Sequence, residues 1–133
     1  MALQIGQKYV KTVVVTDEMS ADRAGATGIM VLATPILVGL IERCCIEAIA
    51  SELSEGQATV GTTVNIAHLA ATPIGFTVSI ESTLTAIEGR ALTFEVTGHD
   101  GRDTICTCTH QRAVINMAKF VERLEIKTAS MQA

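Results

Sequence analysis

The sequence predicts an α+β fold in which one antiparallel sheet wraps around a single long apolar helix. The chain has 133 residues, which suits one domain over 1–133 and allows a core without disulfide or metal staples. Threonine alternates with valine and isoleucine along several segments, a pattern typical of half-buried strands. One apolar segment follows Thr34-Pro35 without such alternation, and it favours a buried helix.

The long helix is predicted to run from Thr34 to about Ser51. Thr34 suits the N-cap position and Pro35 suits the first helical position. The segment is apolar on nearly all sides, which predicts burial. Arg43 and Glu47 are four residues apart, so they share one face that we expect to meet solvent.

The remaining elements are predicted to be strands joined by short turns. A first strand covers 8–16, a loop covers 17–33, and a short helix at 118–127 ends the fold. The four strands after the long helix are predicted as a meander over 57–69, 76–87, 90–98 and 103–117, with hairpin turns at Glu88-Gly89 and Asp100-Gly101. A single sheet of this kind leaves a face or an edge open, so we expect a homodimer, with a tetramer as the next larger assembly.

Composition argues against several classes of protein. Ten Lys and Arg residues stand against fourteen Asp and Glu residues, a net charge of −4 with an isoelectric point near 5.3, which argues against nucleic acid and anionic membranes as partners. Three phenylalanines, one tyrosine and no tryptophan offer no base-stacking platform. The apolar stretch 28–41 is too short to span a membrane, and the first residues lack a signal-peptide pattern, so we expect a cytoplasmic protein.

The four cysteines are Cys44, Cys45, Cys106 and Cys108. Neither the adjacent pair nor the pair one residue apart has the spacing of a zinc site or of a C-x-x-C redox motif. We expect buried, apolar thiols in a reducing compartment, with metal or disulfide chemistry as the alternative.

Glu42 and His68 are the first candidate site residues. The helical neighbours of Glu42 are apolar or small: Val38, Gly39, Cys45 and Ile46. Its carboxylate is therefore buried, faces a cavity, or reaches water at the helix edge. Without a bulge, His68 shares an inward strand face with Val60, Thr62, Val64 and Ile66, either as a hydrogen-bonded core histidine or as a functional one. An inward carboxylate and an inward imidazole together suit acid–base chemistry.

Thr34, Gly61 and Arg112 are further candidates. The capping role of Thr34 is sufficient by itself, but its hydroxyl could also contact a water or a substrate oxygen. Gly61 lies inside a strand, which indicates a bulge or the close approach of a ligand, and its N–H could meet an oxyanion. Arg112 is either an exposed strand residue or a contact for a phosphate or carboxylate.

The motifs resemble those of a known family over about Thr34 to Phe120. The strings TPILVGLIERCC, VGTTVNIAHLAATPIG and HDGRDTICTCTHQRAVINMAKF are similar to the fluoroacetyl-CoA thioesterase-like branch of the hotdog-fold thioesterases. The resemblance implies a dimeric hotdog fold and hydrolysis of an acyl-CoA thioester, with coenzyme A as part of the substrate and no separate cofactor. Carried over by position, the family's Thr/Glu/His triad falls on Thr34, Glu42 and His68, and its active-site glycine and arginine fall on Gly61 and Arg112.

Two departures from the family qualify this expectation. The fluoroacetyl-specific enzyme has aromatic lid residues before the helix, whereas this chain has Gly25 and Gly28 there, which predicts a different or broader acyl group. Cys108 replaces a glycine that the family tends to carry, which affects local strand packing.

Hydrolysis of a thioester at these residues would give each of them a role. Glu42 would activate water or attack the carbonyl itself, His68 would move a proton, and Thr34 would orient water or the acyl group. Coenzyme A would be held by basic residues near the last strand, for which the candidates are Arg112, Lys119 and Arg123.

Three other functions are alternatives to a thioesterase. An enoyl-CoA hydratase is disfavoured, because no aspartate precedes His68 at short spacing. A non-catalytic protein that binds acyl-CoA or another small acid would bind without turnover, and a purely structural dimer would bind no CoA ester.

Overall fold

A computed structural model describes residues 3–132 of the chain. It confirms five strands and two helices in the predicted order. The strands are β1 (Lys8–Val14), β2 (Gln57–His68), β3 (Thr77–Glu88), β4 (Ala91–His99) and β5 (Thr104–Asn116), and the helices are α1 (Thr34–Ile49) and α2 (Met117–Ser130). Single 3₁₀ turns at Asp17–Met19 and Ala50–Glu52 flank α1 in sequence. The strand limits agree with the predicted ones within a few residues.

The strands form one antiparallel sheet in the order β1-β3-β4-β5-β2. Strands β3, β4 and β5 form the predicted meander, but the prediction that β2 belongs to it is wrong, because β2 pairs with β5 at the far edge. The reason is that α1 contacts β1, β3 and β2 as it crosses the sheet. The chain therefore enters β2 on the side opposite β1, and β3 returns to pair with β1.

The core lies between one face of α1 and the inner face of the sheet. The helix contributes Leu37, Leu40, Ile41, Cys44, Cys45 and Ile49, and the sheet contributes mainly Val78, Ile80, Leu84, Leu92, Phe94, Val96 and Ile105. The prediction that α1 is buried on nearly all sides is wrong for the single chain, because Pro35, Gly39, Arg43 and Ile46 are exposed. Arg43 meets solvent as predicted, whereas Glu47 is half-buried and its Oε2 lies 2.9 Å from Lys11 Nζ.

The four cysteines are free and buried, as the sequence predicted. All four belong to the hydrophobic core. Burial raises the pKa of each thiol, that of Cys106 to about 11, so they remain protonated and act as small apolar groups. Within residues 3–132, no group of three or more His, Cys, Asp or Glu side chains is arranged to hold a metal ion.

The turns and α2 differ in detail from the prediction. The first hairpin turn lies one residue later than predicted, at Gly89-Arg90, because Glu88 still pairs with Ala91; Gly89 supplies the positive φ of 61° that this turn needs. Helix α2 is capped by the Asn116 side chain and continues to Ser130. It is exposed along nearly its whole length. In the described part of the chain, no helix has the length and apolarity to cross a membrane.

Candidate active site

A bulge in β2 decides which side chains face the core. Gly61 pairs with Arg112 and Thr63 pairs with Gln111 on β5, which leaves Thr62 as an extra residue without a partner. The alternation of faces therefore changes at Thr62. His68, Ile66 and Val64 pair with Cys106, Cys108 and His110, which are buried, so His68 points inward as predicted. The prediction that Val60 shares this face is wrong, because the bulge turns it to the opposite side.

Thr34 and His68 form one half of the site, which we call the His68 pair. Thr34 Oγ1 lies 2.7 Å from His68 Nδ1. The prediction that Thr34 is the N-cap is wrong, because Ala33 holds that position and Thr34 is the first helical residue. Its hydroxyl is therefore directed to the imidazole instead of the helix backbone. The other ring nitrogen, His68 Nε2, is buried and finds no hydrogen-bond partner in residues 3–132.

Glu42, Gly61 and Arg112 form the other half, which we call the Glu42 group. Arg112 Nη1 lies 3.3 Å from Glu42 Oε2, and the Glu42 side chain is 38% exposed. A Cβ atom on Gly61 would lie 2.6 Å from the same carboxylate oxygen. Gly61 therefore lies in a bulged strand and is also closely approached by another group, which is the carboxylate of Glu42.

Arg112 is an interior residue and not the exposed strand arginine that one interpretation expected. Its side chain is 4% exposed. Nε donates to Thr59 Oγ1 at 2.8 Å and Nη2 donates to the Thr59 carbonyl at 3.0 Å. These partners and Glu42 occupy much of the guanidinium, and the contact of Arg112 with coenzyme A stays a prediction. Lys119 and Arg123 remain exposed on α2.

His110 is a member of this site that the sequence did not single out. It is fully buried, its Nδ1 lies 2.7 Å from the Thr63 carbonyl oxygen, and its Nε2 lies 3.2 Å from Arg112 Nη1. The available signal was its spacing two residues before Arg112, which places both side chains on one face of β5. Burial lowers the pKa of His110, and the Arg112 cation lowers it further, against the hydrogen bond to Thr63 and the Glu42 charge, which raise it.

The two halves are not joined within one chain. Thr34 and Glu42 lie eight residues apart on α1, which corresponds to about 12 Å along the helix axis. Thr34 and His68 meet at one end of this span, and Glu42, Gly61 and Arg112 meet at the other. The three residues of the predicted triad therefore separate into a pair and a single carboxylate.

A cavity of about 250 Å³ adjoins the His68 pair. Its remaining walls are small or aliphatic: Ala21, Val31, Leu32, Leu69, Ala70 and Ala71. The loop before α1 is folded back on itself, since Ala21 N donates to the Val31 carbonyl at 2.8 Å and Asp22 N to the Ile29 carbonyl at 2.9 Å. The wall of the cavity that this loop supplies has no aromatic ring.

Comparisons with known proteins place this geometry among thioesterases. Residues 15–118 match the family described as FlK, fluoroacetyl-CoA-specific thioesterase. A curated relative, the fluoroacetyl-CoA thioesterase of Streptantibioticus cattleyicolor, is 44% identical over 98 residues, which is 74% of this chain and 70% of the relative.

Solved structures agree with the sequence comparison. A solved structure of the fluoroacetyl-CoA thioesterase FlK superposes with a TM-score of 0.90 at 34% identity, covering 96% of this chain and 98% of that one. A Thermus thermophilus hypothetical protein described as a thioesterase superfamily member superposes with a TM-score of 0.87 at 26% identity, covering 97% and 95% of the two chains. A protein from Thermanaerovibrio acidaminovorans described as hot-dog-like, 17% identical, shares the fold with a TM-score of 0.88 over 94% and 93% of the two chains.

Proposed function

Since the chain belongs to the fluoroacetyl-CoA-specific thioesterase family and is a thioester hydrolase with the hotdog fold, we propose that it hydrolyses small acyl-CoA thioesters at a site shared by two copies of the chain. The observation that carries the second half of this proposal is the separation of the His68 pair from the Glu42 group. Each is incomplete alone among residues 3–132: the first has a buried imidazole nitrogen without a hydrogen-bond partner, and the second has a carboxylate without a proton shuttle.

Pairing of two β2 strands would bring the halves together. Strand β2 is an edge of the sheet, and Gly61 to Asn65 are exposed, so its free backbone groups offer a template for another strand. In an antiparallel pair related by a two-fold axis at Asn65, with Thr62 as the extra residue, Gly61 of one copy would lie opposite His68 of the other. The unpartnered His68 Nε2 would then face the Glu42 group of the second copy.

Exposed apolar side chains near this edge support the same dimer. Val64 is 38% exposed and Ile46, on the outward face of α1, is 43% exposed. Burial of such side chains favours association. A dimer formed in this way would have two equivalent sites.

The proposed chemistry assigns Glu42 to the attack on the thioester. In one route Glu42 takes a proton from water while the water oxygen bonds to the carbonyl carbon; in the other, a Glu42 oxygen forms that bond itself and yields an anhydride that water then hydrolyses. In both routes the carbonyl oxygen becomes an oxyanion, for which the Gly61 N–H is the proposed donor. The carbon–sulfur bond then breaks, and the leaving thiolate takes a proton from His68. His68 recovers a proton from the water that is consumed, either by way of Glu42 or during hydrolysis of the anhydride.

Thr34 and Arg112 support these two groups. Arg112, a buried cation, places its Nη1 3.3 Å from Glu42 Oε2 and so orients this carboxylate oxygen. Thr34 fixes the His68 ring through its 2.7 Å contact with Nδ1, which leaves Nε2 as the nitrogen for proton transfer.

The acyl group and coenzyme A would occupy different surroundings. The cavity beside the His68 pair has small and aliphatic walls, which suits a compact acyl group without selecting for fluorine by an aromatic lid. We place the anionic coenzyme A near Lys119 and Arg123 on α2, because both remain exposed while Arg112 is occupied. No separate cofactor is proposed.

Hydrolysis of an acyl-CoA panel, graded by chain length and α-substituent, tests this proposal. We expect turnover by the wild-type protein, with large losses in Glu42→Gln and His68→Ala. Binding without turnover on any member would instead favour an acyl-CoA binding protein, and no binding would leave only a structural dimer. Full activity in both variants would overturn the site assignment.

Labelled water can identify the anhydride route. Under single turnover in ¹⁸O water, hydrolysis of an anhydride at the Glu42 carbonyl would place label in the Glu42 carboxylate. Attack by water on the thioester itself would place label only in the released acid.

A further inference from the structure

His110 lies at the centre of a connected set of hydrogen bonds beneath the Glu42 group. Its Nδ1 is 2.7 Å from the carbonyl oxygen of Thr63, directly after the bulge in β2, and its Nε2 is 3.2 Å from Arg112 Nη1. The same Arg112 nitrogen is 3.3 Å from Glu42 Oε2. One guanidinium nitrogen thus contacts both the imidazole and the carboxylate proposed to attack the substrate.

The partners of His110 dictate its tautomer. A carbonyl oxygen only accepts, so Nδ1 must carry the hydrogen that it donates to Thr63. A guanidinium only donates, so Nε2 must carry none and must accept from Arg112. In a protonated ring both nitrogens carry a hydrogen, so the Nε2–H of His110 would point at an N–H of Arg112. The geometry therefore requires a neutral His110, and its burial and the neighbouring Arg112 cation disfavour the charged form.

Each guanidinium nitrogen of Arg112 has its own contacts. Nε and Nη2 are both held by Thr59, at 2.8 and 3.0 Å. Nη1 is held only by His110 and Glu42 among the described residues. Thr59 sets the plane of the rigid guanidinium. Without the imidazole, however, one buried N–H of Nη1 would lose its acceptor, which favours a shift of Arg112 away from its contact with Glu42.

We propose that His110 is a positioning residue of the active site: as a neutral acceptor it orients Arg112 Nη1 toward Glu42, and through its bond to Thr63 it ties this arrangement to the bulge that carries Gly61. The inference rests on the proposed role of Glu42. It differs from a simple core role, in which His110 would only fill space beside Phe94, whose ring centroid lies 6.4 Å from that of His110.

Three substitutions separate these roles. His110→Gln can keep an acceptor where Nε2 stands, His110→Asn can keep a donor where Nδ1 stands, and His110→Phe keeps the ring volume but neither hydrogen bond. His99→Gln is the matched control, since His99 is an exposed histidine at the end of β4.

Steady-state kinetics on the best substrate of the acyl-CoA panel then give the outcome. We expect kcat to fall on the order of 10- to 100-fold in His110→Phe and His110→Asn, since displacement of a reacting group by a fraction of an ångström to 1 Å has costs of this size. KM should change little, and His110→Gln should recover most of kcat. Wild-type kcat in His110→Phe, or equal losses in all three folded variants, would overturn the inference.

The ring nitrogens of the wild-type protein provide a measurement that needs no variant of His110. The chain has three histidines, so the ¹⁵N signals of His110 can be assigned by replacing His68 and His99 in turn. The Nδ1–H tautomer is expected for His110 at neutral pH, and an Nε2–H tautomer would contradict the inference even if every His110 variant failed to fold. A wild-type protein without turnover would count against the proposed function, whereas turnover that is insensitive to His110 counts only against this inference.

Discussion

Replacing Gly61 with alanine would displace the Glu42 carboxylate with little disturbance of the rest of the fold. The added Cβ would lie 2.6 Å from Glu42 Oε2, 3.3 Å from Arg112 Nη1 and 3.4 Å from His110 Cε1. Real Cβ contacts essentially never fall below 3.0 Å and are ordinary only from 3.4 Å, so the carboxylate must retreat by about 0.4–0.8 Å. Gly61 is not among the glycines with positive φ, so alanine introduces no backbone strain there.

The expected result of Gly61→Ala is a loss of activity without a comparable loss of stability. Misplacement of a reacting group by about 1 Å can cost on the order of 100-fold in rate, so we expect kcat/KM to fall by about 10- to 100-fold. The assay is acyl-CoA hydrolysis followed by release of the free thiol, with Tm measured in parallel.

Gly39→Ala is the matched control for this experiment. Gly39 lies within α1 on its exposed face, and a Cβ there meets nothing within 4 Å. Alanine in a helix is favoured over glycine by about 1 kcal/mol, so this variant should keep its activity and gain stability. Wild-type kcat/KM in Gly61→Ala would refute the argument that Glu42 must occupy the space beside Gly61.

Three further predictions concern the His68 pair, pH and metals. Thr34→Ser should keep kcat near the wild-type value because it keeps the hydroxyl that meets His68, whereas Thr34→Val should lose about 10- to 100-fold; equal rates would show that the hydroxyl is not needed. Because burial lowers the pKa of His110 below its ordinary value of 6.5, the neutral ring contributes stability that is complete above 6.5 and is lost as pH falls through the lower pKa of the folded state. Urea unfolding near pH 7.5 and near pH 5 should therefore show a larger loss of unfolding free energy in the wild-type protein than in His110→Gln, and the same loss in both would contradict this assignment. Prolonged treatment with EDTA should leave kcat unchanged, since the proposed chemistry uses only side chains and water; inactivation that Zn²⁺ or Mg²⁺ reverses would contradict that mechanism.

The elements of the fold could be predicted because their signals are local. Alternation of threonine with apolar residues marks strands such as β3, and Thr34-Pro35 marks the start of α1 within one residue. The place of β2 in the sheet has no local signal, because antiparallel pairing with β3 or with β5 satisfies the same alternation. The sequence also does not reveal that one face of α1 is exposed. Gly39 and Ile46 fit the same apolar pattern whether the sheet or a second chain covers them.

The candidate site shows the same division between local and distant information. The inward direction of His68 follows from alternation, but the bulge at Thr62 changes the faces upstream of it, and only the register with β5 reveals this. The sequence left Arg112 either exposed on its strand or in contact with a phosphate or carboxylate, and the structure shows it buried beside the carboxylate of Glu42. Its burial depends on Thr59, Glu42 and His110. Thr59 and Glu42 are distant from it in sequence, and His110, although only two residues away, was not recognised as its partner.

Activity in mixed dimers tests most directly the central claim that two chains share each site. Two differently tagged chains, one carrying Glu42→Gln and the other His68→Ala, would be co-expressed and their heterodimer isolated. One of its two sites would combine an intact Glu42 from one chain with an intact His68 from the other. We expect about half of the wild-type activity per dimer, although each homodimer is inactive.

The reciprocal heterodimer pairs a wild-type chain with a chain that carries both substitutions. With shared sites each active site would lack one residue, so this heterodimer should be inactive, whereas sites within one chain would leave it about half active. The account predicts activity in the first heterodimer and none in the second. The opposite pattern, or a protein that is active as a monomer, would contradict it.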